Sequence, residues 1–276
     1  MAEDNSYTIP SLGRAVDAMN ALAQEEKALT LSELARQTGI PKSTLYRILA
    51  TLQEQRCVIM NEATKEYRLG PKLWELGSAF AEQSDLNSAA VPYMKRLAEE
   101  CGESVFLGIM DEGEVIYVRQ IESPKSVLAV RKLGQQAPAY CTATGEAMMA
   151  FTDEEEVNRL LEKQPLEEHT RRTETSREEI ERRLAEIRRR GVAVVDGEYN
   201  AQLLCVSAPV LNKRGRARAS LTVALLSERA TSERVKYVSK LVHGAAQDLS
   251  GELGFVGRIG EGQARAASFH EANAEF

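Results

Sequence analysis

The chain is poor in the side chains that hold metals and form disulfides. Its 276 residues include only four cysteines and three histidines. These are Cys57, Cys101, Cys141, Cys205, His169, His243 and His270, all far apart. No CxxC pair occurs, so we expect neither a disulfide framework nor a metal site. A reducing cytoplasm is the expected location.

Long apolar runs are also absent. No segment approaches the roughly 20 apolar residues that cross a bilayer, and the N-terminus lacks the basic and apolar pattern of a signal peptide. We therefore expect no membrane association. A glycine-rich phosphate loop and a serine elbow are missing too, so no enzyme motif is present. With 43% hydrophobic residues, the chain is long enough for two domains, each with its own core.

The segment from Thr30 to Arg47, TLSELARQTGIPKSTLYR, reads as two short helices joined by a tight turn. Thr30 and Glu33 have the spacing of a capping box. Gly39 offers the unhindered backbone that the turn needs, and Pro41 is favourable at a first helical position. An earlier amphipathic helix, with Leu12, Ala15, Val16, Met19, Leu22 and Ala23, would support the pair. This pattern predicts a helix-turn-helix, which places a helix N-terminus in the DNA major groove.

The second helix separates into an apolar and a polar face. Its apolar face consists of Leu45, Ile48, Leu49 and Leu52. The other face and the first turn carry Lys42, Ser43, Thr44, Tyr46 and Arg47. Small hydroxyl side chains let a backbone approach DNA, and arginine can bind guanine with two hydrogen bonds. An ordinary helical hairpin with a solvated polar face would show the same pattern.

A short β-hairpin follows, with strands at residues 58–60 and 67–70 and a polar tip between them. A helix-turn-helix followed by such a hairpin is a winged helix, and Lys65, Arg68 and Lys72 could contact phosphates. Residues 36–72 contain seven basic residues (Arg36, Lys42, Arg47, Arg56, Lys65, Arg68, Lys72) and three acidic ones (Glu54, Glu62, Glu66), while the whole chain has a net charge of −6. A local basic surface on an acidic protein suits phosphate contact by one face, and we expect a dimer on a two-fold site.

The rest of the chain predicts an α+β fold. Residues 71–86 form a linker helix whose Leu73, Trp74, Leu76 and Phe80 suggest a dimer seam; packing within its own domain is the alternative. Helices and strands alternate over residues 87–255, with hairpin connections that favour an antiparallel sheet flanked by helices. The expected strands are 104–110, 114–121, 126–133, 192–196, 203–211 and 216–226. Residues 1–70 are the winged helix-turn-helix domain, and residues 256–276 lack periodicity and are expected to be a disordered tail.

Two stretches of the second domain have a composition suited to binding. Residues 138–146, PAYCTATGE, pass from a strand into a helix through small residues, and a helix N-terminus can bind an anion such as a carboxylate. A plain helix cap is the alternative. Residues 196–209 carry Glu198, Asn200 and Cys205 into a strand; a cysteine there is also compatible with a small core residue.

From Ser11 to Phe255 the chain resembles the IclR family of bacterial transcription regulators. The matching segments are SLGRA at 11–15, LSELA at 31–35, KST at 42–44, YR at 46–47 and YRLG at 67–70, followed by Leu73 and LG at 76–77. In the second domain, TATG at 142–145 matches the motif TAxGK, and CVSAPV at 205–210 matches the block CxAAPV. The order and spacing of these segments together are highly specific.

The resemblance implies a homodimer or homotetramer with N-terminal winged helices and a GAF-like C-terminal sensor domain. Such a protein binds double-stranded promoter DNA and responds to a small metabolite, here expected to be an organic acid; repression is the expected sign, and no cofactor is expected. The implied DNA-binding residues are Arg14, Ser32, Lys42, Ser43, Thr44, Tyr46, Arg47, Lys65 and Arg68. The implied effector-binding residues are Thr142, Ala143, Thr144, Gly145, Glu198, Cys205 and Thr222.

Four positions depart from the family pattern. Glu146 replaces the usual lysine, and its negative charge would either weaken binding of an acid or point into solvent. Gln202 replaces a glycine, Ala224 a small hydroxyl residue, and Arg56 a helix-ending glycine. Two other functions remain open at this point: an enzyme that turns over a small acid in the second domain, and a scaffold whose winged helix binds protein.

Overall fold

The computed structural model describes residues 9–25, 27–82, 85–122 and 133–260. Contacts divide the chain into two units, Met1–Gln83 and Ser84–Phe276. The predicted linker, residues 71–86, contains the last helix of the first unit and the first two residues of the second unit's first helix.

The described residues of the first unit form four helices and a three-stranded sheet. In chain order they are α1 (Pro10–Gln24), β1 (Leu29–Thr30), α2 (Leu31–Thr38), α3 (Lys42–Glu54), β2 (Val58–Met60), β3 (Glu66–Leu69) and α4 (Pro71–Glu82). Strand β3 lies between β1 and β2 and is antiparallel to both. The predicted wing is therefore present, and the two-residue β1 adds a strand to it.

The core of the first unit lies between α1, α2, α3 and the sheet. It buries Ala18, Leu22, Leu29, Leu34, Ile40, Leu45, Leu49, Val58 and Tyr67. The expected apolar face of α1 is wrong in part, because Leu12 and Val16 are exposed while Ala18 is fully buried. The buried face of α1 is therefore centred on Ala18 and Leu22, with Met19 packed against the core.

The second unit is a six-stranded sheet covered by helices. Its elements are α5 (Asp85–Cys101), β4 (Val105–Asp111), β5 (Glu114–Ile121), β6 (Gln136–Pro138), α6 (Ala143–Met149), α7 (Glu154–Lys163), α8 (Arg177–Arg190), β7 (Ala193–Asp196), β8 (Leu203–Leu211), β9 (Ala217–Leu226) and α9 (Ser232–Glu252). The sheet order is β6-β5-β4-β9-β8-β7, and every pairing is antiparallel. The predicted α+β class is confirmed.

Two sequence predictions fall partly outside the described residues. Of the expected strand at residues 126–133, only Leu133 is described, and it lies in a turn; the short β6, which was not among the expected strands, forms an edge of the sheet. Of the expected disordered tail at residues 256–276, only 256–260 are described, and there the expectation is wrong, because Ile259 is buried. The Ile259 N–H donates to Gln247 Oε1 over 2.8 Å, and its carbonyl lies 3.0 Å from the His243 ring.

Candidate functional site

The helix-turn-helix is built as its sequence predicts. The Thr30 hydroxyl accepts from the Glu33 N–H, and the Glu33 carboxylate accepts from the Thr30 N–H at 2.8 Å, so both halves of the capping box are present. Gly39 ends α2 with φ +67°, a conformation that glycine adopts without strain. Pro41 is the N-cap of α3 and not its first helical residue. Helix α3 therefore begins at Lys42.

The outer face of α3 is exposed as expected for a surface that reads DNA. Leu45 and Leu49 are fully buried, while Tyr46 is 59% exposed. The other predicted contacts of this helix are the exposed Lys42, Ser43 and Arg47 and the half-buried Thr44. The basic and hydroxyl side chains thus lie on the side of α3 that the core does not use.

The remaining predicted DNA contacts are also exposed. Arg14 lies on α1, Ser32 in the first turn of α2, and Arg68 on β3. Lys65, at the wing tip, forms an exposed 2.7 Å ion pair with Glu62. A pair of this kind is worth little in water, so Lys65 could exchange Glu62 for a phosphate.

Arg56 sits where a helix-ending glycine is usual, and the backbone there adopts the glycine conformation. Its φ is +59°. The Arg56 N–H donates to Gln53 O and the Cys57 N–H to Leu52 O, each over 2.9 Å. These two bonds form a Schellman motif that turns the chain from α3 into the wing. The arginine therefore occupies a left-handed position at some conformational cost.

Five of the predicted effector residues surround one small cavity in the second unit. They are Thr142, Ala143, Thr144, Glu198 and Cys205. The cavity is also lined by Tyr117, Cys141, Val195, Gly197, Tyr199, Asn200 and Leu203. Its volume is about 20 Å³, which is room for about one water molecule.

The other two predicted effector residues, Gly145 and Thr222, lie behind the cavity wall. A Cβ atom on Gly145 would lie 2.3 Å from Ala139 Cα, so this glycine lets α6 pack directly on the preceding turn. Thr142 caps the same helix by accepting from the Gly145 N–H at 3.2 Å. The motif at residues 142–145 thus positions the wall of the cavity.

A row of buried hydroxyl groups connects Thr144 to the sheet. Thr144 Oγ1 lies 2.7 Å from Thr222 Oγ1, which lies 2.7 Å from Ser207 Oγ, which in turn lies 2.5 Å from Ser220 Oγ. The Ser207 hydroxyl also lies 3.1 Å from Leu221 O, and the Ser220 hydroxyl lies 3.0 Å from Ala208 O. Because each hydroxyl has one proton, it donates either one bond of the row or one bond to a carbonyl, and it accepts the others. The Tyr117 hydroxyl, 3.3 Å from Thr144 Oγ1, extends the row.

Glu146 does not point into solvent, as one of the two expectations had it. Its side chain is 2% exposed and lies 2.7 Å from Arg183 Nη2 on α8. The pKa of the Glu146 carboxyl is raised to about 8, because the effect of burial, with a smaller contribution from the Glu198 charge, exceeds the opposing effect of Arg183. Glu146 thus meets a cation that comes from another helix.

Glu198 is held from two sides. Arg183 donates to it with both terminal nitrogens, Nη1 to Oε1 and Nη2 to Oε2. The Glu174 N–H donates to Oε2 over 3.0 Å, and the Thr173 hydroxyl donates to the Glu198 carbonyl over 2.6 Å. Glu198 lies in the turn that follows β7, and these bonds tie it to α8 and to residues 173–174.

The other departures are less central. Gln202 is exposed, and Ala224 is buried opposite Cys205 on the paired strands β9 and β8. None of the four cysteines, all within the described part of the chain, forms a disulfide. Among the described residues, no group of three His, Cys, Asp or Glu side chains could hold a metal ion, and no helix there is long and apolar enough to cross a membrane.

Sequence reasoning missed several residues of the cavity wall. Tyr117 on β5 and Val195 on β7 come from strands that are distant in sequence from both motifs, and their alternating pattern gives no sign of a cavity. Arg183 was missed because it lies on a helix full of arginine and glutamate. The one signal that could have predicted its role is Glu146, because a glutamate in the core needs a cationic partner.

Comparison with known proteins agrees with both units. Residues 11–58 match the IclR helix-turn-helix domain, and residues 78–251 match the family described as bacterial transcriptional regulator IclR C-terminal. The regulator XynR of Escherichia coli (strain K12) is 31% identical over 248 residues, which is 90% of this chain and 98% of that protein. The transcriptional repressor IclR of the same organism is 28% identical over 244 residues, 88% of this chain and 89% of the relative.

A solved structure shares the fold. It is an IclR homologue from Microbacterium hydrocarbonoxydans in complex with 4-hydroxybenzoate; it has 22% identity and a TM-score of 0.76 and covers 88% of this chain and 98% of its own. The relatives named here and the matching families are transcriptional regulators and not enzymes. The chain belongs to the IclR family of transcriptional regulators, with an N-terminal helix-turn-helix domain and a C-terminal effector-binding domain.

Proposed function

We propose that α3 enters the major groove of double-stranded promoter DNA and that the wing contacts the neighbouring phosphates. Lys42, Ser43, Thr44, Tyr46 and Arg47 would meet bases and backbone from α3. Arg14, Ser32, Lys65 and Arg68 would contact the backbone from the surrounding elements. The observation that carries this proposal is that α3 buries its leucines and leaves its basic and hydroxyl side chains exposed.

The DNA-binding form would be a homodimer or homotetramer. Helix α4 exposes Trp74 (81%), Leu76 (54%) and Phe80 (59%). So much exposed apolar surface on one helix is typical of an interface, and a second copy of the chain is the partner that a two-fold operator requires. Light scattering with Trp74→Ala tests this part, because the variant should dissociate at a higher concentration than the wild type.

The proposed effector is a small organic acid that binds in the cavity behind Thr142–Thr144. The N-terminus of α6 reaches the cavity through Ala143 and Thr144, and helix N-termini favour negative charge. A volume of about 20 Å³ is too small for an acid of several heavy atoms. Binding would therefore require the segment from Gly197 to Leu203 to move outward. The proposed function needs no cofactor.

The proposed sign of regulation is repression, supported by the likeness to a relative named as a repressor. In that case the effector would weaken or strengthen operator binding by changing the conformation of the second unit. A coupling free energy of about 1–3 kcal/mol would suffice for a change of about 5–150-fold in occupancy.

Titration onto the DNA upstream of its own gene, at two salt concentrations, tests the DNA-binding part. We expect specific binding that weakens steeply with salt, because each neutralised phosphate adds about 0.9 to the negative slope of log K against log salt. Binding that is absent, or independent of salt, would instead favour the scaffold whose winged helix binds protein.

A further inference from the structure

Three charged side chains from separate elements meet beside the cavity. Glu146 comes from α6, Arg183 from α8, and Glu198 from the turn that follows β7. Glu146 is 2% exposed, Glu198 8% and Arg183 22%. We call these three residues the acid–arginine–acid cluster. A single guanidinium serves two buried carboxylates in it.

The two carboxylates receive unequal numbers of hydrogen bonds. Glu198 receives hydrogen bonds from both terminal nitrogens of Arg183 and from the Glu174 N–H. Glu146 Oε1 lies 2.7 Å from Arg183 Nη2, yet within the described structure it accepts no well-aligned hydrogen bond. A buried carboxylate with a poor partner is costly to keep ionised. Arg183 therefore forms its hydrogen bonds mainly with Glu198. Protonation of Glu146 removes the energetic cost of keeping that carboxylate ionised in the core.

The groups that act on Glu146 are few. Helix α6, ATGEAMM, contains no other titratable side chain. The charges that act on Glu146 come from Arg183 on α8 and from Glu198, and Glu174 acts on Arg183 in turn. Burial and Glu198 raise the pKa of Glu146 to about 8, so its charge changes near neutral pH.

The cluster joins two walls of the cavity. Glu198 lines the cavity directly, while Glu146 follows two residues after Thr144, on the helix whose N-terminus forms another part of the wall. Arg183 itself does not line the cavity. A change in the pairing of Arg183 with Glu146 or Glu198 therefore affects both the α6 part and the Glu198 part of the cavity wall.

We propose that Arg183 is a positioning residue of the effector cavity and that the protonation of Glu146 decides how firmly Arg183 holds Glu198 in the wall. When Glu146 is protonated, Arg183 pairs with Glu198 alone and the cluster is neutral. When Glu146 is ionised, Arg183 pairs with both carboxylates and the cluster carries one negative charge, which disfavours an acidic effector. The role of the cavity in this inference rests on the function proposed above.

The test is a pH titration that needs no effector. Methyl resonances of Val195 and Leu203, which line the cavity, would be followed from about pH 6 to about pH 9.5, the range in which a raised carboxyl, a histidine or a thiol titrates. We expect a component near pH 8 in the wild type that disappears in Glu146→Gln.

Glu114→Gln is the matched control. Burial also raises the pKa of Glu114, but this residue on β5 does not line the cavity, so its replacement should leave the component near pH 8 in place. Two results would overturn the proposal: wild-type methyl shifts with no such component, or the same component in Glu146→Gln. If Glu146→Gln does not fold, the wild-type titration still tests the proposal, because methyl shifts without a component near pH 8 would overturn it.

A second arm adds lactate and 4-hydroxybenzoate as probes. An acid that binds in the cavity should bind more weakly above the Glu146 transition, by about tenfold for each unit by which it raises the pKa of Glu146. Binding with equal affinity on both sides of the transition would contradict the proposal. If neither acid binds, the acid-effector function fails for these probes, and the methyl titration still decides whether Arg183 and Glu146 act on the cavity.

Discussion

The hydroxyl oxygens of Thr144 and Thr222 lie 2.7 Å apart and join helix α6 to strand β9 in the core. Both residues are almost fully buried. Thr144 lines the cavity, while the Thr222 hydroxyl also lies 2.7 Å from Ser207 Oγ. The cavity wall is thus supported by a hydrogen-bonded row of hydroxyl groups.

Thr222→Val should be destabilising because it leaves two buried hydroxyls without their shared partner. We expect a loss of about 1–3 kcal/mol in the free energy of unfolding, the cost of an unsatisfied buried polar group. Chemical denaturation measures this. A double-mutant cycle with Thr144→Val should show a coupling between the two positions, since the second change removes the group that the first left unpaired. Strictly additive losses would contradict the hydrogen bond.

Gly145→Ala should destabilise the second unit strongly. Its Cβ would lie 2.3 Å from both Cα and O of Ala139, which are backbone atoms that cannot rotate away. Gly251→Ala is the matched control, because Gly251 is also helical and has nothing within 4 Å of the added Cβ. The control should gain about 0.5–1 kcal/mol from helix propensity. Equal thermal shifts in the two variants would show that α6 does not pack on the turn as described.

Arg47→Ala should weaken operator binding by about 1–3 kcal/mol and relax the preference at one base position. The physical reason is the loss of a bidentate contact from the exposed face of α3. Arg159→Ala, an exposed arginine on α7 of the second unit, removes the same charge away from the proposed interface and should bind nearly as the wild type does. Equal affinities of the two variants would place the reading surface elsewhere.

Glu146→Gln should change how stability depends on pH. The folded-state pKa of Glu146 is raised from 4.5 to about 8, so the native state binds this proton more tightly than the unfolded chain does. The wild type therefore loses stability as pH rises from 4.5 to about 8, with no further loss from this group above that range. Glu146→Gln should lack this component. Thermal unfolding across the range measures it, and parallel curves for the two proteins would refute the assignment.

Much of the fold follows from local sequence signals. Strand β8 begins and ends where its apolar run predicts, and the capping box at Thr30 and the turn at Gly39 form as expected. These features depend on a few residues that are adjacent in the sequence, so they can be predicted from the sequence alone. The same holds for the cavity wall at residues 142–145, where the motif itself supplies the cap and the close-packed glycine.

What the sequence hides depends on contacts between distant segments. Ser176 caps α8 and Glu179 has the spacing of a capping box, but the box is not completed, and the Glu179 carboxylate pairs with Arg182 instead. Arg183 directly follows Arg182 on the same charged helix, yet Arg183 and not Arg182 pairs with the buried Glu146. Such choices among equivalent side chains are decided by tertiary packing, and the local pattern does not distinguish between them.

The most direct test of a metabolite-controlled regulator is fluorescence anisotropy of labelled operator DNA with the purified protein, while a panel of small organic acids is added one at a time. We predict that one acid changes the affinity by about 5–150-fold and that Thr144→Phe, which fills the cavity, binds the DNA normally but no longer responds. A wild-type protein whose operator affinity no acid changes, or a Thr144→Phe variant that responds fully, would contradict the account.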